Sequence, residues 1–174
     1  MFNKRLGTVV PMTGAHSDVA WLDERQQHSW RAYLVGTTLL MDRLDRDLRE
    51  NHRLSLPDYE ILVRLSEAAD NRLRMAVLAD SVSHSRSRVT HTISRMEQAG
   101  LVVRDACAAD GRGVEAVLTE KGAEALAEAA ETHVRGVREL LVDLVDPADL
   151  ETVGRVFDAV TDKLVAANPA VDIR

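Results

Sequence analysis

The chain has 174 residues, enough for one domain with a sizeable core and too few for two ordinary ones. Hydrophobic residues at 45% and charged residues at 29% exclude a disordered chain, and 3% aromatics leave the core to Leu, Val and Ala. A formal charge of −6 excludes a protein that coats nucleic acid without regard to sequence, but it leaves room for a local basic face. No apolar run approaches the length of a membrane span. The first eighteen residues, MFNKRLGTVVPMTGAHSD, carry two basic residues and no sustained apolar stretch, so secretion is not expected. Cys107 is the single cysteine and cannot form an internal disulfide, which fits a reducing cytoplasm.

Residues 1–20 contain Gly7, Pro11 and Gly14 without periodicity and read as a flexible arm. Asp23 with Gln26 has the form of a capping box opening a long helix. Trp30, Leu34, Thr37, Met41, Leu44 and Leu48 then recur at steps of three and four, carrying that helix to about His52. Ser55 and Asp58 flank Pro57 at the start of a second helix with Ile61, Leu62 and Leu65 inward. AADN (68–71) breaks it, Leu73–Met75 suits a short strand, and MAVLADSV (75–82) a two-turn helix.

The next segment, SHSRSRVTHTISRMEQAG (83–100), is a helix with a thin apolar stripe. Val89, Ile93 and Met96 face inward at 100° per residue, leaving His84, Ser87, Arg88, His91, Ser94 and Arg95 outward. Gly100 is placed to stop it. LVVRDACAA (101–109) and VEAVL (114–118) form a β-hairpin around Asp110, Gly111 and Gly113. Thr119 caps a fifth helix with apolar positions Leu126, Ala130, Val134, Val137, Leu141 and Leu144. Asp146-Pro147 opens a sixth, striped by Leu150, Val153, Phe157, Val160 and Leu164, and Asn168-Pro169 ends it.

The fold expected is therefore mainly α with a small β-hairpin wing: a winged helix-turn-helix flanked by long terminal helices. Its divisions are an arm at 1–20, an N-terminal dimerisation helix at 21–54, a DNA-binding domain at 55–118 and C-terminal dimerisation helices at 119–174. In such an arrangement the second helix of the pair enters the major groove of double-stranded DNA and the hairpin reaches the flanking backbone or minor groove. Between Asn71 and Arg95, five arginines (Arg72, Arg74, Arg86, Arg88, Arg95) stand against Asp80 alone, a local +4 in an acidic chain. Such a patch gains affinity by releasing phosphate counterions. A merely solvated helix face usually alternates Glu and Lys, yet no acid occurs from Val82 to Met96. Ser85, Arg86, Ser87, Arg88 and His91 are the expected base-side or phosphate donors, with His84 beside them and Arg95 nearer phosphate.

LADSVSHSRSRVTHTISRMEQAGLVVRDACAADGRGVEAVLTEKG (78–122) resembles the DNA-binding core of the MarR family of bacterial transcription regulators. The family's wing signature, Asp-x-Arg followed a strand later by Leu-Thr-x-x-Gly, falls on Asp110, Arg112, Leu118, Thr119 and Gly122. Two positions depart from it: Ala116 stands where relatives usually have Val, and Gly111 where many carry a second basic residue. The resemblance covers roughly residues 22–167. It implies that Arg112 enters the minor groove, where a narrow groove concentrates negative potential, and that Asp110 holds its extended rotamer. It also implies a homodimer through the terminal helices, with two reading helices about 34 Å apart on a pseudo-palindromic operator.

Relatives often act as repressors released by a small aromatic acid bound between the dimer helices and the reading head. Trp21, Trp30 and Tyr33, with His28, are the candidate lining of such a pocket; at helical spacing they read first as dimer core. Thiol and zinc switches occur in the family. Cys107 lies on the wing strand near Arg104 and Asp105, where the plain reading is an unreactive strand residue. The six histidines are scattered, so no metal site and no cofactor are expected. Neither a Ser-His-acid order nor a Gly-rich phosphate loop is present, which argues against an enzyme. A helix-turn-helix that contacts protein instead of DNA is the remaining rival.

Overall fold

The computed structural model describes residues 19–82, 85–106 and 113–167. Its elements run α1 (Glu24–His52), α2 (Leu56–Glu67), β1 (Arg72–Arg74), α3 (Met75–Ser81), α4 (Arg86–Gln98), β2 (Val102–Ala106), β3 (Val114–Leu118), α5 (Glu120–Leu140) and α6 (Pro147–Ala167). Packing divides the chain into two units, Met1–Gly36 and Thr37–Arg174, with the division inside α1. His84, Cys107, Asp110, Arg112 and the hairpin tip lie outside the described residues.

In the first unit the expected capping box closes α1. The Asp23 N–H donates to Gln26 Oε1 at 2.9 Å, and the Gln26 N–H donates to Asp23 Oδ1 at 2.8 Å. Trp30 and Tyr33 stack with ring centroids 5.5 Å apart.

In the second unit the core is Leu48, Ile61, Leu62, Leu65, Leu78, Val89, Ile93, Met96 and Val102, each almost wholly buried. Leu48, Ile61, Leu62, Leu65, Val89, Ile93 and Met96 are inward positions expected of the first, second and fourth helices; Leu78 of α3 and Val102 of β2 join them. Ser55 caps α2 in a reciprocal box with Asp58, and Pro57 sits in the first turn, where its missing N–H costs nothing. Beyond α2, Asp70 and Asn71 both take φ of 55°, a left-handed turn that Asx side chains tolerate better than most. The strand after it covers Arg72–Arg74, one residue earlier than expected. It completes a three-stranded antiparallel sheet in the order β1-β3-β2, with Leu73 opposite Ala116 and Val103 opposite Val117.

The fifth helix ends four residues sooner than its pattern suggests, at Leu140, and a 3₁₀ turn over Val142–Leu144 follows. Its buried residues are Gly122, Ala129 and Gly136, while Val134 and Leu144 are exposed. Small residues set the contact because α5 comes close to its neighbours: a Cβ on Gly136 would approach Leu44 Cδ2 of α1 to 2.8 Å. α5 also seats His133 on Tyr59 of α2, ring centroids 4.5 Å apart, and Thr132 Oγ1 lies 2.7 Å from His52 Nε2 of α1. None of the described side chains of α6 is buried.

At the start of α5 the wing signature acquires a physical reason. Thr119 Oγ1 accepts from the Gly122 N–H at 3.0 Å and donates to the Leu101 carbonyl at 2.9 Å, tying α5 to the chain leaving α4. Gly122 packs on that same carbonyl, where a Cβ would overlap Leu101 O and lie 2.8 Å from Leu118 Cδ1. Gly122→Ala is expected to cost at least about 2 kcal/mol through forced backbone displacement, read as a lower midpoint in denaturant.

Burial pushes the His133 imidazolium below its ordinary value of 6.5. The unfolded chain therefore takes up that proton more readily than the folded one. Stability is fully present above pH 6.5 and falls as acid reaches the lowered folded value. Denaturation midpoints measured between pH 5 and pH 8 are expected to fall toward the acid end, and His133→Phe to flatten that dependence.

Candidate nucleic-acid interface

α4 begins at Ser85, whose Oγ accepts from the Arg88 N–H at 3.3 Å and lies 3.2 Å from Ser87 Oγ. Ser85 thus works as the N-cap, and the helix proper starts at Arg86 rather than within the serine-rich lead. Val89, Thr92, Ile93 and Met96 are buried, while Ser85, Arg86, Ser87, Arg88, Thr90 and His91 are exposed. Thr90 Oγ1 donates to the Arg86 carbonyl at 2.8 Å, and the residue sits exposed among the outer-face side chains.

The far end of α4 closes in a Schellman arrangement. Gly100 takes φ of 76°, its N–H donates to Glu97 O at 2.9 Å, and the Leu101 N–H donates to Met96 O at 3.0 Å. Lys121 of α5 donates from Nζ to Ala99 O at 2.6 Å, a cation placed at the negative end of the helix. Glu97, the first acid after the outer face, is clamped by Arg104 of β2. The Arg104 side chain reaches Glu97 Oε2 at 2.5 Å and its N–H reaches Oε1 at 3.1 Å. The hydrogen bond from the Arg104 side chain, then that from its N–H, holds the Glu97 carboxyl below its ordinary value.

The local arginine surplus divides in two. Arg72 pairs with Glu115 at 3.5 Å and lies 3.9 Å from Asp105, both on the wing strands. Arg95 donates from Nη2 to Asp58 Oδ1 at 2.5 Å. Asp58 is buried, and its Oδ2 accepts from the Ser55 N–H at 2.9 Å and Ser55 Oγ at 2.6 Å. Arg95 therefore bolts α4 to the head of α2 while half of its side chain stays exposed. Among the described residues Arg86 and Arg88 have no acidic partner. Arg86 and Arg74 also border a cavity of about 330 Å³ that runs between α3, α4 and the start of β3.

A larger cavity, about 470 Å³, lies between α1, α2 and α5, bordered by Leu40, Leu44, Tyr59, His133 and Leu141 among others. Trp21, Trp30 and Tyr33 are not among its lining residues; all three belong to the first unit. Among the described residues no group of three or more His, Cys, Asp or Glu side chains could hold a metal ion. No helix among them is long and apolar enough to cross a membrane.

The description of the MarR family matches residues 54–113, the span from the end of α1 to the wing tip. AbsC of Streptomyces coelicolor, a MarR family transcriptional regulator of known structure, is 40% identical with a TM-score of 0.81, covering 85% of this chain and 99% of its own. Sco3205 of the same organism, a MarR family regulator solved in complex with DNA, is 38% identical with a TM-score of 0.80, covering 83% of this chain and 94% of its own. The transcriptional regulator PecS of Dickeya dadantii is 28% identical over 127 residues, 70% of this chain and 76% of PecS. With the three-stranded sheet, α4 and its exposed arginines in place, the chain belongs to the MarR family of DNA-binding transcriptional regulators.

Proposed function

We propose that the protein is a ligand-responsive homodimeric repressor that reads a pseudo-palindromic operator in the cytoplasm. The observation that carries the reading is the outer face of α4: exposed along Ser85–Arg88 and His91, free of acids, with two arginines lacking an acidic partner among the described residues. Sco3205 was solved in complex with DNA, and the same seating is proposed here. Arg86, Ser87, Arg88 and His91 would face base edges, arginine pairing bidentately with guanine. His84, Asp110 and Arg112 are proposed contacts on the strength of the sequence motif alone. Arg95 serves α4's position first and phosphate second.

The dimer is supported by apolar side chains that one chain leaves uncovered. On α6, Val153, Val156, Val160 and Leu164 are 44–64% exposed, and on α1 Leu39 is 64% exposed. Long helices with exposed apolar stripes are interaction surfaces. A two-fold pairing of two copies would cover them and set two reading helices about one turn of DNA apart. The effector site proposed is the cavity between α1, α2 and α5. It adjoins both the helix proposed to dimerise and α2, whose N-terminal box holds Arg95. A ligand there could shift the reading helix only through differential affinity for two arrangements.

Four measurements test this. Footprinting on the protein's own promoter region is expected to protect a two-fold symmetric site, and an asymmetric or absent footprint would refute the operator model. Light scattering after size exclusion should return about 38 kDa, twice the 19.2 kDa chain. In salt titrations of operator binding, Arg88→Ala and Arg112→Ala should each lower affinity and reduce the salt slope by about one unit. Arg95→Met should instead lower the melting temperature, because it strands the buried Asp58 carboxylate.

A further inference from the structure

We propose that Glu97 is a positioning residue for DNA recognition: it holds the ribbon of β2 and β3 at a fixed angle to α4, so that both can engage one duplex at once. The inference rests on the DNA-binding reading above and gives Glu97 no contact with DNA itself.

The ribbon needs such a stay. Val102 and Ala116 are buried at its base, but Val103, Arg104, Asp105, Ala106 and Val114 are exposed. The sheet order β1-β3-β2 also leaves β2 at an edge. A two-stranded ribbon without a packed face is only marginally rigid, and an edge strand presents backbone groups that lack a ladder partner.

Glu97, in the last turn of α4, meets both needs. Its Oε1 accepts the Arg104 backbone N–H at 3.1 Å, as a neighbouring strand's carbonyl would. Its Oε2 accepts Arg104 Nε at 2.9 Å and Nη2 at 2.5 Å. One point of contact would let β2 swivel. Three bonds from one carboxylate to the main chain and side chain of a single residue fix its angle as well as its distance. Side chains alternate along a strand, so Arg104 shares the face of buried Val102. On the opposite face Asp105 and Glu115 are cross-strand partners, and Arg72 of β1 lies 3.9 Å from the first and 3.5 Å from the second. The ribbon is braced on both faces, toward α4 by Glu97 and toward β1 by Arg72.

The sign of the charge separates this role from two others. A partly exposed ion pair adds little to global stability, so a role in folding alone predicts little change in DNA binding. An acid near a cationic face opposes phosphate, so electrostatics alone predicts tighter binding once Glu97 is removed. Positioning predicts the reverse. With the stay cut, the ribbon's effective concentration at its own groove falls, and the affinity it adds falls with it.

The test uses the full-length protein, Glu97→Ala, and the reversed pair Glu97→Arg with Arg104→Glu. Operator affinity of Glu97→Ala is expected to fall about fivefold at an unchanged melting temperature, and the reversed pair to recover most of that loss. On a duplex trimmed to its two major-groove half-sites, without the flanking base pairs within the ribbon's reach, the unmodified protein and Glu97→Ala should bind alike. Backbone ¹⁵N order parameters of Val103–Ala106 should drop in Glu97→Ala while those of α4 hold. If Glu97→Ala melts early, Glu97→Gln, which keeps an acceptor for the Arg104 N–H, should show the same pattern with a smaller loss. Equal or tighter operator binding by Glu97→Ala, an equal loss on the trimmed duplex, or unchanged order parameters would overturn the proposal. Failure of the unmodified protein to bind any operator sinks the regulator reading alone, and the order parameters then decide whether Glu97 holds the ribbon.

Discussion

One buried carboxylate sets where α4 sits. Asp58 spends Oδ2 on closing the α2 capping box and Oδ1 on Arg95 of α4, so the start of one helix and the outer edge of another share a single anchor. A buried anion is costly unless its lone pairs are filled, and here three donors fill them. The anchor itself is held from α1. Partial burial opposes ionisation of Asp45, but hydrogen bonds from Arg49 and from the Leu56 N–H more than offset it and keep this carboxyl below its ordinary value. α1, α2 and α4 are thereby joined by charge-assisted hydrogen bonds, which are stronger and more directional than neutral ones. A shift of α1 or α2 is transmitted to α4 as a change of angle rather than absorbed by loose packing.

The far end of α4 obeys the same economy. Lys121 and the Gly100 turn satisfy its last carbonyls, and Arg104 neutralises Glu97, the first acid after the outer face in the chain. An acidic chain can present a cationic face only if its carboxylates near that face are occupied. Asp58, Glu97, Asp105 and Glu115 are all engaged by arginines, while Arg86 and Arg88 on the outer face have no acidic partner among the described residues. Under the proposed DNA seating, this segregation, not the regional charge count, would let phosphate compete for the face without displacing an internal ion pair.

Much of this was legible in the sequence because it is local. The Asp23–Gln26 and Ser55–Asp58 boxes, Pro57, the Gly100 stop and the Thr119 cap each act within a few residues, and each lies where the pattern puts it. The inward positions Ile61, Leu62, Leu65, Val89, Ile93 and Met96 follow from helical period alone. What the pattern could not supply is contact across long separations. Arg95 and Asp58 stand 37 residues apart, so Arg95 looked like a free cation. On α5 the period found Leu126 and Ala130, which pack against the core, but also pointed to the exposed Val134 and Leu144, whereas the buried positions are Gly122, Ala129 and Gly136: close approach selects small side chains, which a hydrophobicity pattern scores low. The large cavity is likewise a product of three helices that no single segment announces. The aromatic cluster of the first helix was the visible candidate, and it lies in the other unit.

The Leu-Thr-x-x-Gly half of the wing signature marks a joint rather than a contact with DNA. Thr119 bonds both the first turn of α5 and the Leu101 carbonyl, and Gly122 allows that carbonyl to approach closer than any side chain would permit. Leu101 is the residue that completes the α4 stop. The joint therefore fixes α5, which carries His133, directly against the exit of α4, which carries the arginines. Both α2 and α5 are tied to the C-terminal end of α4, by Asp58–Arg95 and by Lys121 on Ala99 O with Thr119 on the Leu101 carbonyl. Both attachments fall in the last turn of α4 and its stop, so on the proposed reading a displacement of either support would pivot the helix about its C-terminal end and swing Arg86 and Arg88 at the other.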